Sequence, residues 1–327
     1  LLQRSLEQGS LSHAYLFVGP PHVGKMTLAL NLAQALNCES VDRPCGNCLP
    51  CQKIASGKHA DVVIVGIGQD NDEKNRTEIS IEQIRGIQHS ASLPPFEGKY
   101  RVYIIDGAEQ MTIEAANCLL KTLEEPLPKV IFILLAVNGQ GRLPATVVSR
   151  CQKLNLTPLP VEEVEKALVE RWKVEKPEAY LIARLSHGCL GWAVTVVKEP
   201  SILERRKDMI SNLLEAIKPG DERFVYSARL ASQFGKDRNA VFQVMDLWLD
   251  WWRDLLLLKT GNEDLVANTD YQPTLVELAQ AYTLAQIRSV IGGIQTVEIQ
   301  LRKNANAQLA LELMMLNIPE REGALKK

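Results

Sequence analysis

The sequence predicts an α/β domain, a parallel sheet with helices on both faces, followed by a small helical unit and an all-helical C-terminal region. Three observations predict it. Short apolar runs without alternation are separated by stretches of helical spacing through the first half, the pattern of strands covered on both faces. A glycine-rich turn joins the first such run to the first such helix. Beyond about Leu156 the strand pattern stops and only helical spacing remains.

The elements follow in order. Ala14–Val18 is a short apolar strand ending in Gly19-Pro20-Pro21. Lys25–Asn37 carries Leu28, Leu32 and Leu36 at helical spacing. A cysteine-rich segment, 38–51, interrupts next. Asp61–Val65 reads as a buried strand, and 70–76 as a polar loop free to move. Ser80 with Gln83 forms a capping box that opens a helix to about Ala91. Arg101–Ile105 is a strand ending at Asp106. Thr112 caps a helix with Ile113, Ala116, Leu119, Leu120 and Leu123 on one face, stopped by Pro126. Val130–Val137 is the next buried strand. Thr157-Pro158-Leu159-Pro160 reads as a linker, and Val161 to about Val197 as a small helical unit with a turn at Gly188–Gly191. From Ser201 the chain is helical. Trp248, Trp251 and Trp252 share one packing face there, and a last amphipathic helix carries Leu301, Leu309, Leu313 and Leu316. The expected domains are 1–157, 158–200 and 201–327.

Composition narrows the function classes. Hydrophobic residues are 46% and charged residues 23%, enough to bury a core. Lys plus Arg is 37 against 39 for Asp plus Glu, so bulk positive charge cannot hold this chain on nucleic acid. The longest apolar run, Val130–Val137, falls far short of the roughly 20 residues of a membrane span, which predicts a soluble protein without a membrane partner. No signal-peptide pattern opens the chain, and a cytoplasmic location is expected. The first residues read as the inside of a helix without an initiator Met, which leaves the natural N-terminus open.

Gly19-Pro20-Pro21-His22-Val23-Gly24-Lys25 matches the spacing of a phosphate-binding P-loop, after a strand and before a helix. Backbone N–H groups and the helix N-terminus favour a phosphate, and Lys25 neutralises its oxygens. The next residue should offer a hydroxyl to magnesium, but it is Met26, a poor ligand for a hard cation. Thr27 is one residue late. Asp106, at the end of its strand, can orient magnesium. The following position, where a carboxylate would activate water, is Gly107, and Glu109 lies three residues downstream, expected to be directed elsewhere. Gly19, Gly24, Lys25, Thr27 and Asp106 therefore form a weak or vestigial site for ATP or ADP.

Cys38, Cys45, Cys48 and Cys51 supply four thiolates with two Cys-x2-Cys spacings, the ligand set of tetrahedral zinc. Four ligands leave no open position, so the ion would be structural. His59 is a rival ligand, and reduced free thiols are the alternative reading. Cys118, Cys151 and Cys189 read as packing residues. Near the end of the α/β part, Val147 and Val148 can pack inward while Arg150 projects. By itself such an arginine is a solvated surface charge.

Several segments together resemble a known family. They are Asp106–Met111, Ala115–Pro126, Leu143-Pro144, Ser149-Arg150-Cys151, and Asn304–Asn306 followed by Leu309–Glu312. They resemble the bacterial clamp-loader subunits of DNA polymerase III, which are AAA+ proteins. The resemblance implies an AAA+ module with an early zinc insertion, a helical lid and a helical collar. It implies that Arg150, within Ser149-Arg150-Cys151, reaches into the ATP site of a neighbouring subunit. It implies motor subunits and a delta subunit as partners, and a sliding clamp and primed DNA in the assembled complex. A motor of this family carries Ser or Thr at 26, Glu at 107 and an arginine near Gly191 or Trp192. All three are missing here, the pattern of a non-hydrolysing partner subunit. The competing readings are an ATP-hydrolysing motor subunit and a P-loop transferase. Met26 and Gly107 oppose the first, and the second leaves the helical C-terminal region unexplained.

Overall fold

The computed structural model describes residues 2–67, 78–137, 143–218 and 220–319. The loop expected at 70–76 lies outside them. The chain divides into two compact units, 1–159 with 189–191, and 160–188 with 192–327.

The first unit opens with α1 (Leu2–Gln8), β1 (Ala14–Val18), α2 (Lys25–Asn37), α3 (Leu49–Ala55) and β2 (Val62–Val65). It continues with α4 (Ile81–Ala91), β3 (Arg101–Asp106), α5 (Ile113–Glu124), β4 (Val130–Ala136), α6 (Ala145–Val148) and β5 (Gln152–Asn155). The five strands are parallel, in the order β2-β3-β4-β1-β5. Every residue of β1 and β4 is buried, because apolar layers cover both faces of the sheet. Asp106 pairs with Leu135 and Val18 with Ala136. The carboxyl ends of β1, β3 and β4 therefore share one edge, where open α/β sheets bind ligands.

Local signals explain most of these elements. Both halves of the Ser80–Gln83 capping box are present at the start of α4. The Thr112 side chain accepts the Ala115 N–H at 3.1 Å, a cap contributing about 1 kcal/mol. Three expectations need correction. Strand β2 is half-buried rather than buried, because it is the sheet edge with a single neighbour. Ile113 is exposed, and the buried face of α5 is Ala115, Ala116, Leu119 and Leu123. A fifth strand, β5, was not expected: its alternating half-buried and exposed residues mark a polar edge without an apolar run.

The second unit is helical. α7 (Val161–Trp172), α8 (Lys176–Leu185) and α9 (Leu190–Lys198) bury Val164, Leu168, Ile182 and Val196. α10 (Ser201–Ala216), α11 (Glu222–Phe234), α12 (Arg238–Lys259), α13 (Gln272–Ala281), α14 (Leu284–Arg302) and α15 (Ala307–Leu316) follow. Trp248, Trp251 and Trp252 are fully buried at the centre of their core, the expected packing face. The last helix departs from expectation. Leu301 is buried on α14, but Leu309, Leu313 and Leu316 face water, while Ala310, Leu311, Met314 and Met315 of α15 face the core. No described helix is long and apolar enough to cross a membrane.

Candidate functional site

The phosphate loop has the local geometry its sequence requires. Gly19 passes so close to β5 that a Cβ would lie 2.6 Å from the Leu156 carbonyl oxygen. Gly24 sits at φ 107°, a left-handed conformation suited to glycine, immediately before α2. The Lys25 Nζ donates to the Gly19 and Pro20 carbonyls, both at 2.7 Å. Two of its three donors thus brace the loop, and one is left for an anion. Burial lowers the Lys25 pKa, while the charges of Glu109, Asp106 and Cys189 oppose that shift.

Glu109 is held inside the first unit. A 3-10 turn over Ala108–Gln110 folds it back into the unit, where it is buried and its Oε2 accepts the Val137 N–H at 3.3 Å. It acts on Lys25 more strongly than Asp106 does. Its separation of three residues from Asp106 concealed this, and the glycine before the turn was the available signal.

The hydrolytic parts are arranged otherwise. Met26 packs against the core beside β1, and Thr27 is exposed. Gly107 is left-handed at φ 74° and ψ 44°. Gly191 donates its N–H to the His22 carbonyl at 3.0 Å, and a Cβ at 191 would lie 2.5 Å from that oxygen. At Gly191, one of the two positions near which the resemblance puts a lid arginine, backbone meets backbone and a side chain has no room.

The sulfurs of Cys38, Cys45, Cys48 and Cys51 all lie within 4.8 Å of one another. The Cys38 and Cys48 sulfurs are 3.9 Å apart, near the roughly 3.8 Å edge of a tetrahedron with bonds of about 2.3 Å. The Ser40 N–H donates to the Cys38 sulfur at 3.4 Å and the Cys48 N–H to the Cys45 sulfur at 3.3 Å. Backbone hydrogen bonds from Glu39 and Cys51 bring Cys48 down to about 6, whereas burial pushes Cys51 up to about 12. This cluster can hold a metal ion. His59 is not part of it: its Nδ1 accepts the Asp61 N–H at 3.1 Å.

A hub that sequence reading missed fastens this module to the sheet. Asp61 is fully buried and accepts the N–H groups of Phe96, Glu97 and Gly98, each at 2.8 Å. The Arg101 guanidinium adds contacts at 3.1 and 2.9 Å. Burial alone would raise the Asp61 carboxyl, but these donors bring it down to about 2. The same loop reaches the cysteines, since Lys99 donates to the Cys38 carbonyl at 2.5 Å.

Arg150 lies between α6 and β5. Val147 is fully buried and Cys151 packs against the core, its thiol pushed up to about 11 by burial. These anchors fix the backbone while Arg150 stays partly exposed. Its Nη1 donates to the Thr146 carbonyl at 2.9 Å, and its Nη2 lies 2.7 Å from Glu124 Oε1. Ser149 is exposed, and its hydroxyl donates to the same Thr146 carbonyl at 3.1 Å.

A parallel sheet in this order with a phosphate loop at its carboxyl edge, in a chain whose second unit is helical, defines a P-loop α/β protein. The family described as DNA polymerase III, delta subunit, matches residues 1–160, and its C-terminal counterpart matches 200–320. DNA polymerase III subunit delta' of Bacillus subtilis is 31% identical over 98% of this chain and 94% of its own length. The tau subunit of the same organism is 28% identical over 97% of this chain, which spans only 59% of that subunit. A gamma subunit-related protein of Thermotoga maritima superposes with a TM-score of 0.51 at 17% identity, over 97% of this chain and 98% of that one, a likeness of fold. The chain belongs to the DNA polymerase III delta-prime family of clamp-loader subunits.

Proposed function

We propose that this subunit does not hydrolyse ATP but completes the ATP site of a neighbouring motor subunit with Arg150, while a sliding clamp is loaded onto primed DNA in replication. It is then a cytoplasmic component of the DNA polymerase III holoenzyme without catalysis of its own. The observation that carries this is the contrast between the two phosphate-directed features. The phosphate loop is braced, yet Met26 turns to the core and Gly107 is left-handed. Arg150, by contrast, is rigidly based and partly exposed beyond α6. A guanidinium is permanently charged and suited to bidentate phosphate contact.

The remaining features fit the same reading. Cys38, Cys45, Cys48 and Cys51 hold a structural zinc ion. Gly19, Gly24, Lys25, Thr27 and Asp106 retain at most weak ATP or ADP binding. Residues 158–200 act as a lid and 201–327 as a collar, joined to motor subunits and a delta subunit. The outward stripe of Leu309, Leu313 and Leu316 supports the collar role, because spacing of i, i+4 and i+7 presents one apolar face to a neighbouring helix.

The test is Arg150→Ala in an assembly reconstituted with motor subunits, delta subunit, clamp and primed DNA. Single-turnover ATP hydrolysis and clamp loading are expected to fall, by up to about 10³-fold at the one site that receives the arginine. Zinc content and melting temperature of the free subunit are expected to hold. Wild-type hydrolysis and loading by the variant assembly would return Arg150 to a surface charge.

A further inference from the structure

We propose that Glu124 is a positioning residue for Arg150, holding its guanidinium in the orientation from which it meets the neighbour's nucleotide. The inference rests on the reading of Arg150 as a trans-acting group. Three observations carry it. The first is geometric. The Arg150 fork is held at both ends, by the Thr146 carbonyl at 2.9 Å and by Glu124 Oε1 at 2.7 Å. The second is the rigidity of both bases. Arg150 stands between buried Val147 and core-packed Cys151. Glu124 follows buried Leu123, whose carbonyl lies 3.0 Å from His13 Nε2. Two anchored bases lose less side-chain freedom on pairing than two free surface chains. The third is placement. Glu124 is the last residue of α5 and Glu125 its C-cap. Acids there face the negative end of the helix dipole, which disfavours them. Helix stability therefore gives no reason for a carboxylate at 124, and the cation it meets is Arg150.

Both side chains remain partly exposed, at 35% for Arg150 and 50% for Glu124. The pair thus leaves guanidinium N–H groups facing water. Glu124 fixes the plane and direction of the fork and does not bury it. The contact of the carboxylate is with the Arg150 guanidinium, and its proposed effect passes through Arg150.

The test uses the reconstituted assembly with MgATP, clamp and primed DNA, read by single-turnover hydrolysis across ATP concentrations. Glu124→Ala is expected to lower the saturated rate about three- to fivefold and to leave the half-saturating ATP concentration unchanged. Glu124→Gln keeps a carbonyl acceptor and is expected to recover most of the loss. In an Arg150→Ala background, Glu124→Ala is expected to add nothing, since contacting residues that act through one group are not additive. Melting temperature and zinc content of each free variant report folding, and the Gln variant serves if the Ala variant unfolds. A faster rate in Glu124→Ala would show that Glu124 restrains the arginine, which overturns the proposal. An equal loss with and without Arg150 overturns it as well. If Arg150→Ala itself hydrolyses like wild type, the trans role of Arg150 falls first, and positioning falls with it.

Discussion

Removing the charge at Asp61 is expected to destabilise the first unit severely although the residue is not part of the phosphate loop. Its carboxylate accepts three backbone N–H groups at 2.8 Å and pairs with Arg101 at 2.9 Å, with no exposed surface. Burial raises its pKa, but these donors prevail and bring it from 3.8 to about 2. A shift of that size corresponds to about 2 kcal/mol of preference for the ionised form. The folded pKa is depressed, so this stability is fully present above the ordinary value near 3.8. It is lost as pH falls through about 2. Asp61→Asn loses the ionic contribution and turns an amide N–H₂ toward donors. Asp61→Ala also leaves Arg101 without a counter-charge and three N–H groups without acceptors, a loss of about 3–5 kcal/mol. For a unit of this size that is a drop of roughly 6–20 °C in its unfolding transition. Scanning calorimetry would measure the drop, and amide exchange at Phe96, Glu97 and Gly98 would localise it. Adding Arg101→Leu to Asp61→Ala is expected to recover only part, because the backbone donors stay unpaired. A drop below about 2 °C with the three amides still protected would refute the hub role.

The other predictions concern metal and nucleotide. Purified protein is expected to carry one zinc per chain. Cys48→Ser should lose it together with order in 38–51, while the sheet keeps its melting behaviour; metal analysis well under half an equivalent in wild type would contradict this. The free chain is expected to turn over no ATP, and any weak nucleotide binding seen by calorimetry should vanish in Lys25→Ala. Met26→Thr with Gly107→Glu should not restore turnover. A side chain at the left-handed position 107, at φ 74°, is strained by about 1–2 kcal/mol, and Gly191 still closes on His22. Robust hydrolysis by the double variant would show that those two side chains alone were limiting.

Some of this protein was determined by short stretches of sequence. Apolar runs without alternation gave β1, β3 and β4, since a strand buried on both faces has no polar side to show. Thr112 and Ser80 marked helix starts, because a cap bonds residues three apart. The phosphate loop and the cysteine cluster were legible for the same reason: their chemistry is set by spacing over fewer than about 20 residues.

Tertiary structure decided the rest. Strand β5 lacks an apolar run and exists because Gln152–Asn155 completes the free edge of β1. The spacing of Leu309, Leu313 and Leu316 announced an apolar face, but the core took the opposite face of α15. Ile113 likewise faces water where Ala115 and Ala116 meet the sheet. Asp61 gives no local sign, since its partners lie 35–40 residues onward. Glu124 and Arg150 meet only because α5 and α6 end side by side. Periodicity states that a helix has an apolar side, and composition states that a charge is present. Which side is covered, and which charge finds a partner, depends on segments distant in the chain that only packing brings together.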